Sequence, residues 1–264
     1  MAYESGFASV YDRFSDDAAY EKRAAYLLGL LRDGGVTEGI LLDVACGTGK
    51  LTALLCGKGY EIIAADISPE MLQIARERLA AADPDALLLC QDMRALDLYG
   101  TVDAAVCTLD SVNHLTEEED VAAAFRSVAL FLRPGGLYVF DVNTPFKHRQ
   151  VLGGNTFVYE DEDAFLVWQN TDCDEEGRVD ILLDVFTAEA DGRYARASED
   201  FTERAYEPER LCELLEQAGL AVEGVYGDLT RTPPGEGEER VCIVARKRDL
   251  SSRWLESQVE SRES

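Results

Sequence analysis

The stretch that constrains this chain most is Ile40–Lys50, which reads Ile-Leu-Leu-Asp-Val-Ala-Cys-Gly-Thr-Gly-Lys. Its apolar run, Ile40 to Val44, has the length of a buried strand and carries a single acid, Asp43. A turn of small residues follows, and then Leu51, Leu54 and Leu55 recur at helical spacing. Strand, glycine turn, helix is the order that points backbone N–H groups at a helix N-terminus toward a nucleotide-like ligand. Gly47 and Gly49 lack a β-carbon, so the backbone there takes positive φ or approaches a ligand closely.

The dinucleotide fingerprint needs glycines spaced G-x-G-x-x-G. With Gly47 and Gly49 as the first two, Thr52 holds the third place; with Ala45 and Gly47, Lys50 does. Neither register fits, and no G-x-x-x-x-G-K-[ST] phosphate loop is present. The pattern that does fit is D-x-[GA]-x-G-x-G, from Asp43 to Gly49. In this form the stretch resembles motif I of the class I S-adenosylmethionine-dependent methyltransferases, with Ala45 in place of the commoner first glycine. The resemblance implies an α/β fold: a Rossmann-like, seven-stranded, mostly parallel sheet with helices on both faces. It also implies S-adenosyl-L-methionine as cofactor. Taken alone, the loop is equally compatible with another nucleotide-binding α/β protein.

Composition narrows the ligands. The 264 residues carry 25 Lys and Arg against 51 Asp and Glu, a net charge of −26. Such a surface repels nucleic acid and anionic membranes and keeps the protein soluble; more weakly, it attracts a cationic or amine substrate. Seven scattered cysteines (Cys46, Cys56, Cys90, Cys107, Cys173, Cys212, Cys242) contain no C-x-x-C and sit mostly in apolar runs. They predict a reducing cytosol, with no disulfide framework and no metal site. Cys46, inside the glycine turn, reads either as a small tolerated loop residue or as a reactive thiol. No basic-plus-apolar leader and no apolar run of about 18 residues predicts an export signal or a membrane span, so a cytoplasmic location is expected.

Along the chain, residues 1–35 read as an aromatic-rich leader (Tyr3, Phe7, Tyr11, Phe14) and a helix from Asp17 to Arg32 ended by Gly34-Gly35. Tyr20, Ala24, Leu27, Leu28 and Leu31 share one face of that helix. The leader, with Tyr11-Asp12, resembles the lid that closes over the cofactor's methionine end in small-molecule methyltransferases; an aromatic hook packing it to the domain is the alternative. Residues 36–150 form the cofactor-binding core. Its second strand, Tyr60 to Asp66, ends in an acid at close to the interval, about 20 residues, at which a carboxylate meets a ribose. Ser68 and Pro69 then open a helix with Met71, Ile74, Ala75 and Leu79 on its buried face. A third strand, Ala86 to Cys90, runs into Asp92 and Met93, which the resemblance places at the adenine; a plain turn acid is the alternative for Asp92. The fourth, Val102 to Thr108, ends in Leu109-Asp110-Ser111-Val112-Asn113-His114-Leu115, similar to the D-S-x-N-[YH]-L run of glycine-N-methyltransferase-like enzymes. Thr116-Glu117-Glu118-Glu119 reads as a capping box. Leu132-Arg133-Pro134-Gly135-Gly136 matches the family's helix-to-strand turn and precedes strand five, Leu137 to Asp141.

From residue 151 to 206 the helical period disappears. Phe157–Tyr159, Phe165–Thr171, Val179–Thr187 and Arg193–Glu203 alternate with acidic turns, which predicts an inserted antiparallel meander on the substrate side. Residues 207–246 read as a helix (Leu211, Leu214, Leu215, Ala218) and a closing hairpin, Leu220–Tyr226 with Arg240–Ala245. Residues 247–264 form a polar tail.

The resemblance, spread over residues 11–246, implies the following contacts. Near the cofactor it places Tyr20, Asp43, Ala45, Cys46, Gly47 and Gly49. From the next strand ends come Asp66, Ile67, Met71, Asp92, Met93, Leu109 and Asp110. Toward a small-molecule acceptor it places Tyr11, Asn113, His114, Trp168 and Tyr206. For Trp168, Phe186 and Tyr206, core packing is the alternative. No catalytic residue stands out; His114 is a candidate base or a structural hydrogen-bonding histidine. The acceptor atom (nitrogen, oxygen, sulfur or carbon) and the oligomeric state stay open. A cofactor-sensing or scaffold protein without turnover is the rival of a different class, and an NAD-dependent oxidoreductase is disfavoured by the glycine spacing.

Overall fold

Leu41 and Leu42, neighbours on the first strand, point to opposite faces and are both fully buried. Only a sheet covered on both sides buries two successive residues in this way. The computed structural model, which describes residues 12–14 and 19–249, shows that sheet. Helix α1 (Tyr20–Asp33) leads into β1 (Gly39–Val44), α2 (Lys50–Leu55), β2 (Tyr60–Asp66), α3 (Pro69–Ala82), β3 (Leu87–Cys90) and β4 (Val102–Cys107). Then come α4 (Glu118–Phe131), β5 (Leu132–Asn143), α5 (Pro208–Gln217), β10 (Leu220–Gly227) and β11 (Arg240–Lys247). The seven strands lie in the order β10-β11-β5-β4-β1-β2-β3. β1 pairs parallel with β2 and β4, whereas β11 runs antiparallel between β5 and β10. Chain order reverses between β1 and β4, so the ligand crevice lies beyond their C-terminal ends.

The two faces have separate cores. Leu41, Ala104, Val106 and Val139 pack under α1 and α2 with Leu27, Leu31, Leu51 and Leu55. Leu42, Ala105, Cys107 and Phe140 pack under α4 and α5 with Phe125, Val128, Leu211 and Leu215. Between β5 and α5 the chain builds a second sheet from β6 (Thr156–Asp161), β7 (Ala164–Asn170), β8 (Arg178–Ala188) and β9 (Tyr194–Arg204), antiparallel throughout. The inner face of this sheet gathers Leu166, Val179, Ile181, Leu183, Val185 and Phe201, with Phe14 packed against them.

Two local expectations are corrected. Thr116 does not cap α4: the cap position is Glu117, and no side chain caps the helix. The carbonyl of Thr116 is drawn instead to Arg204 Nη1 of β9 at 3.0 Å, which holds this segment extended. Strand five starts at Leu132, not Leu137. Its pairing with β4 jumps from Val102–Leu132 to Ala104–Leu137, so Arg133-Pro134-Gly135-Gly136 is a bulge inside the strand.

Candidate active site

The β1–α2 loop is built by hydrogen bonds from acids at strand ends. Ala45, Gly47 and Gly49 all take positive φ. Gly47 N donates to Asp66 Oδ2 at 2.8 Å, and Ser68 N donates to Asp66 Oδ1 at 2.9 Å. Asp66 therefore ties the loop to the end of β2 and borders the cavity described next; burial pushes its carboxyl up despite these bonds. Asp43 lies beneath the loop and accepts Thr52 Oγ1 at 2.6 Å. Burial pushes it up to about 7, against the Thr52 bond and with help from the nearby Asp66 charge. Burial also raises the Cys46 thiol well above its ordinary range, so this cysteine is a loop residue rather than a reactive thiolate.

A cavity of about 410 Å³ opens beyond these strand ends. Its walls include Tyr20, Asp43, Ala45, Cys46, Gly47, Asp66, Ile67, Met71, Asp92, Met93, Leu109 and His114. A β-carbon built on Gly47 meets nothing within 4 Å, so this edge of the loop faces open cavity. Gly49 is different. It does not line the cavity, and a β-carbon there would lie 3.1 Å from Ala75 Cβ. That glycine lets α3 pack closely against the loop.

Asp92 caps a short 3-10 turn, Met93–Ala95, and is forked by Arg94, whose hydrogen bonds hold it below the usual carboxylate range. Arg94 reaches on to Asp120 at 2.8 Å. After β4, Leu109 and Asp110 are both left-handed, at φ 58° and 59°. Non-glycine residues rarely hold that conformation, and here Asp141 fixes it by accepting Leu109 N at 2.9 Å. Asp141 is itself buried against Arg23 and Arg240. Asp110 does not line the cavity; its Oδ2 accepts from Asn143 and faces Arg240. Burial pushes Asp110 up, but Arg240, Lys147 and His114 outweigh it and hold the group at about 2.

Three acceptor-side expectations are replaced by packing roles. Asn113 is fully buried and its amide is saturated: Nδ2 donates to Asn143 O and Arg204 O, and Oδ1 accepts Asn143 N. Tyr206 is a core residue whose hydroxyl donates to Leu115 O at 2.5 Å. Trp168 lies away from the cavity, edge-on to Phe157, with Nε1 on Asn170. Tyr11 lies outside the described residues.

Sequence reasoning missed the polar contacts of Asp12 and Arg13, whereas Phe14 packs as the aromatic-hook alternative has it. Asp12 accepts Thr48 Oγ1 at 2.7 Å and pairs with Arg78, Arg13 pairs with Asp161 at 2.7 Å, and Phe14 packs on the second sheet. Lys50 Nζ lies 4.6 Å from the Tyr20 ring centre. It also missed Arg23, whose one available signal was a cation on an otherwise apolar helix face.

Comparison with known proteins agrees with this geometry. A family model described as "Methyltransferase domain" matches residues 41–136. The chain is 36% identical, over 94% of its length and 98% of the relative's, to "Putative methyltransferase YqeM" of Bacillus subtilis. The crystal structure of an S-adenosylmethionine-dependent methyltransferase from Clostridium acetobutylicum superposes with a TM-score of 0.83 at 29% identity, covering 92% of this chain and 98% of the other. The chain belongs to the S-adenosylmethionine-dependent methyltransferases.

Among relatives of known substrate, this methyltransferase is 33% identical to dTDP-3-amino-3,6-dideoxy-alpha-D-glucopyranose N,N-dimethyltransferase of Streptomyces fradiae, over 53% of its own length and 54% of that enzyme. It is an enzyme of methyl transfer, with S-adenosylmethionine as cofactor. The cavity suits that cofactor: an open glycine edge, two strand-end carboxylates, Asp66 and Asp92, and apolar surface from Ile67, Met71 and Met93. Among the described residues no helix is long and apolar enough to cross a membrane.

Proposed function

We propose that this methyltransferase methylates an amine nitrogen of a small cytoplasmic metabolite, which enters between the ends of β1 and β4 and the inner face of the second sheet. The observation that carries this reading is the cavity wall formed by His114. There His114 lines the cavity, and behind it Glu203 of β9, 5% exposed, brings Oε1 to 3.7 Å from His114 Nε2. A buried carboxylate behind a histidine favours a basic acceptor over an anionic one, and the net charge of −26 favours the same class at longer range. The amino-sugar substrate named for the Streptomyces fradiae relative supports nitrogen as the acceptor atom.

S-adenosylmethionine, when bound, supplies an electrophilic sulfonium methyl. The chain's own task is alignment and exclusion of water. Asp66 accepts from the ribose hydroxyls, and Asp92 and Met93 hold the adenine. Tyr20 and the loop from Ala45 to Gly47 border the methionine end. Leu109, fixed by Asp141, sets the floor on which acceptor and methyl meet. The seven free cysteines support a reducing compartment.

The test is transfer of isotope-labelled methyl from S-adenosylmethionine into a fractionated metabolite extract, with the product identified by mass fragmentation. Label on an amine nitrogen is expected. Label on oxygen, sulfur or carbon, or cofactor binding without turnover, would overturn the proposal.

A further inference from the structure

The chain has two histidines, and both turn Nε2 toward the same buried carboxylate. His148 follows β5 in the segment Lys147–Leu152 and is fully buried. Its Nδ1 lies 2.9 Å from the carbonyl oxygen of Gly177. A carbonyl only accepts, so Nδ1 carries a proton. A neutral ring in that tautomer leaves a bare lone pair on Nε2, and this atom has no hydrogen-bond partner. What faces it is Glu203 Oε2 at 3.6 Å, a second acceptor. Two lone pairs opposed in a buried site are unfavourable twice over, as unsatisfied polar atoms and as like charge. One added proton removes both penalties. An imidazole nitrogen is a stronger base than a carboxylate oxygen, so the proton rests on Nε2.

We infer that His148 and Glu203 form a proton-holding pair, His148 doubly protonated against the Glu203 carboxylate, and that this pair positions His114 at the cavity wall. The second oxygen of Glu203 then sets a negative charge 3.7 Å from His114 Nε2, which favours the tautomer and tilt that turn an Nε2–H toward it. Phe201, two residues before Glu203 on the same strand face, holds the ring from the side, with centroids 5.0 Å apart. The surrounding charges are compatible with an ionic pair. Lys147 lies near the Glu203 carboxylate, Asp110 faces both Lys147 and Arg240, and Glu199 shares the inner face of β9. Asn143 Nδ2 gives Glu203 Oε2 a further weak donor at 3.4 Å. Glu203 and His148 touch neither the cofactor side nor the cavity, so they are positioning residues; their bearing on the acceptor rests on the reading proposed above.

With only two imidazole rings, nitrogen-15 NMR of the full chain without any acceptor reads the pair directly. At pH 7 one ring should show both nitrogens protonated, with an Nε2 proton protected from exchange. H114N, which leaves a single ring, assigns it to His148. E203Q should convert His148 to a neutral ring, abolish the protected proton, at least about tenfold faster in exchange, and shift the His114 nitrogen signals. E203D should restore the protected proton. Binding of S-adenosylmethionine by E203Q reports that the variant is folded; if it is not, the wild-type spectrum still decides. A wild-type His148 ring protonated only at Nδ1, or His114 signals identical in wild type and folded E203Q, would overturn the inference. Because no acceptor is present, this failure is separate from failure of the amine assignment, which labelled-methyl transfer reports.

Discussion

The two sheets of this methyltransferase use their acids in opposite ways. In the seven-stranded sheet, Asp43, Asp66 and Asp141 lie near strand ends, and the last two clamp backbone N–H groups of the loops that leave the neighbouring strands. Those loops contain non-glycine residues at positive φ: Ala45, Leu109 and Asp110. In the four-stranded sheet, positive φ is confined to the turn glycines Gly177 and Gly192, and Glu199 and Glu203 project from one regular strand face among apolar neighbours. The loops of the first sheet thus depend on backbone shape, stored in unusual dihedrals and held by carboxylates. The second sheet depends on which side chains a plain scaffold presents. Substitutions at the cofactor loops should therefore damage geometry, whereas those on the second sheet should tune it.

The largest effect is expected at Gly47. Valine there holds a β-branched side chain at φ 55°, at a strain of about 1–2 kcal/mol, and projects it into the cavity. Calorimetry should show about a hundredfold weaker cofactor binding, roughly 2.7 kcal/mol, with an unchanged circular dichroism spectrum. Gly49→Ala should do the reverse, lowering the melting temperature through contact with Ala75 while costing less affinity. Equal effects of the two on binding would erase the distinction between a ligand-facing and a packing glycine.

Asp66→Ala comes next. It frees two bonded N–H groups and removes the proposed ribose acceptor, so binding should weaken by about 1.5–3 kcal/mol, roughly ten- to 150-fold. The saturated rate should change little, since this contact is equal in ground and transition states. Asp66→Asn should fall between. A 2′-deoxy cofactor separates the two roles: non-additivity with the mutation assigns the ribose, and full additivity leaves Asp66 as a loop clamp alone.

Asn113→Ala tests the seam between the sheets. It deletes an amide that joins the turn after β4 to β5 and β9, and unfolding stability should fall by about 1–3 kcal/mol. Denaturant titration checks this, and cofactor affinity in the folded variant should hold within about twofold, since no bond to the glycine loop is lost.

The smallest effect is a pH dependence. Asp43 is raised in the folded state to about 7, above its unfolded value, so the folded chain binds that proton more tightly. Its contribution is most favourable below that value and is lost as pH rises through about 7. Asp43→Asn keeps an acceptor for Thr52 and removes the titration. The melting temperature of the variant relative to wild type should therefore climb from about pH 4 to about pH 7 and level off above it; a difference constant with pH would place the Asp43 charge elsewhere in the balance.

Local chemistry made much of this legible. The apolar run with its glycine turn located β1, the loop and α2, and Ser68-Pro69 located the start of α3, where Ser68 accepts Met71 N. Alternation and acidic turns located the four antiparallel strands. Thr116 misled because a capping box is a local pattern, and a distant arginine, Arg204, competes for that stretch of backbone. Asn113 and Tyr206 misled for a related reason. A polar side chain beside a site looks the same in sequence whether its atoms are free or already saturated by neighbours remote in the chain.

What the sequence determined by itself was the order of strands and helices, the loop that opens on the cavity, and the acids at the strand ends, because each depends on neighbours within a few residues. Only the tertiary structure decided what those acids hold. Asp66 meets Gly47, Asp141 meets Leu109, and Glu203 stands between His114 and His148. Those partners are brought together by sheet pairing and by the fold of one sheet over the other. Hydrogen bonds act over about 3 Å in space, and nothing in the linear spacing of these residues encodes that distance.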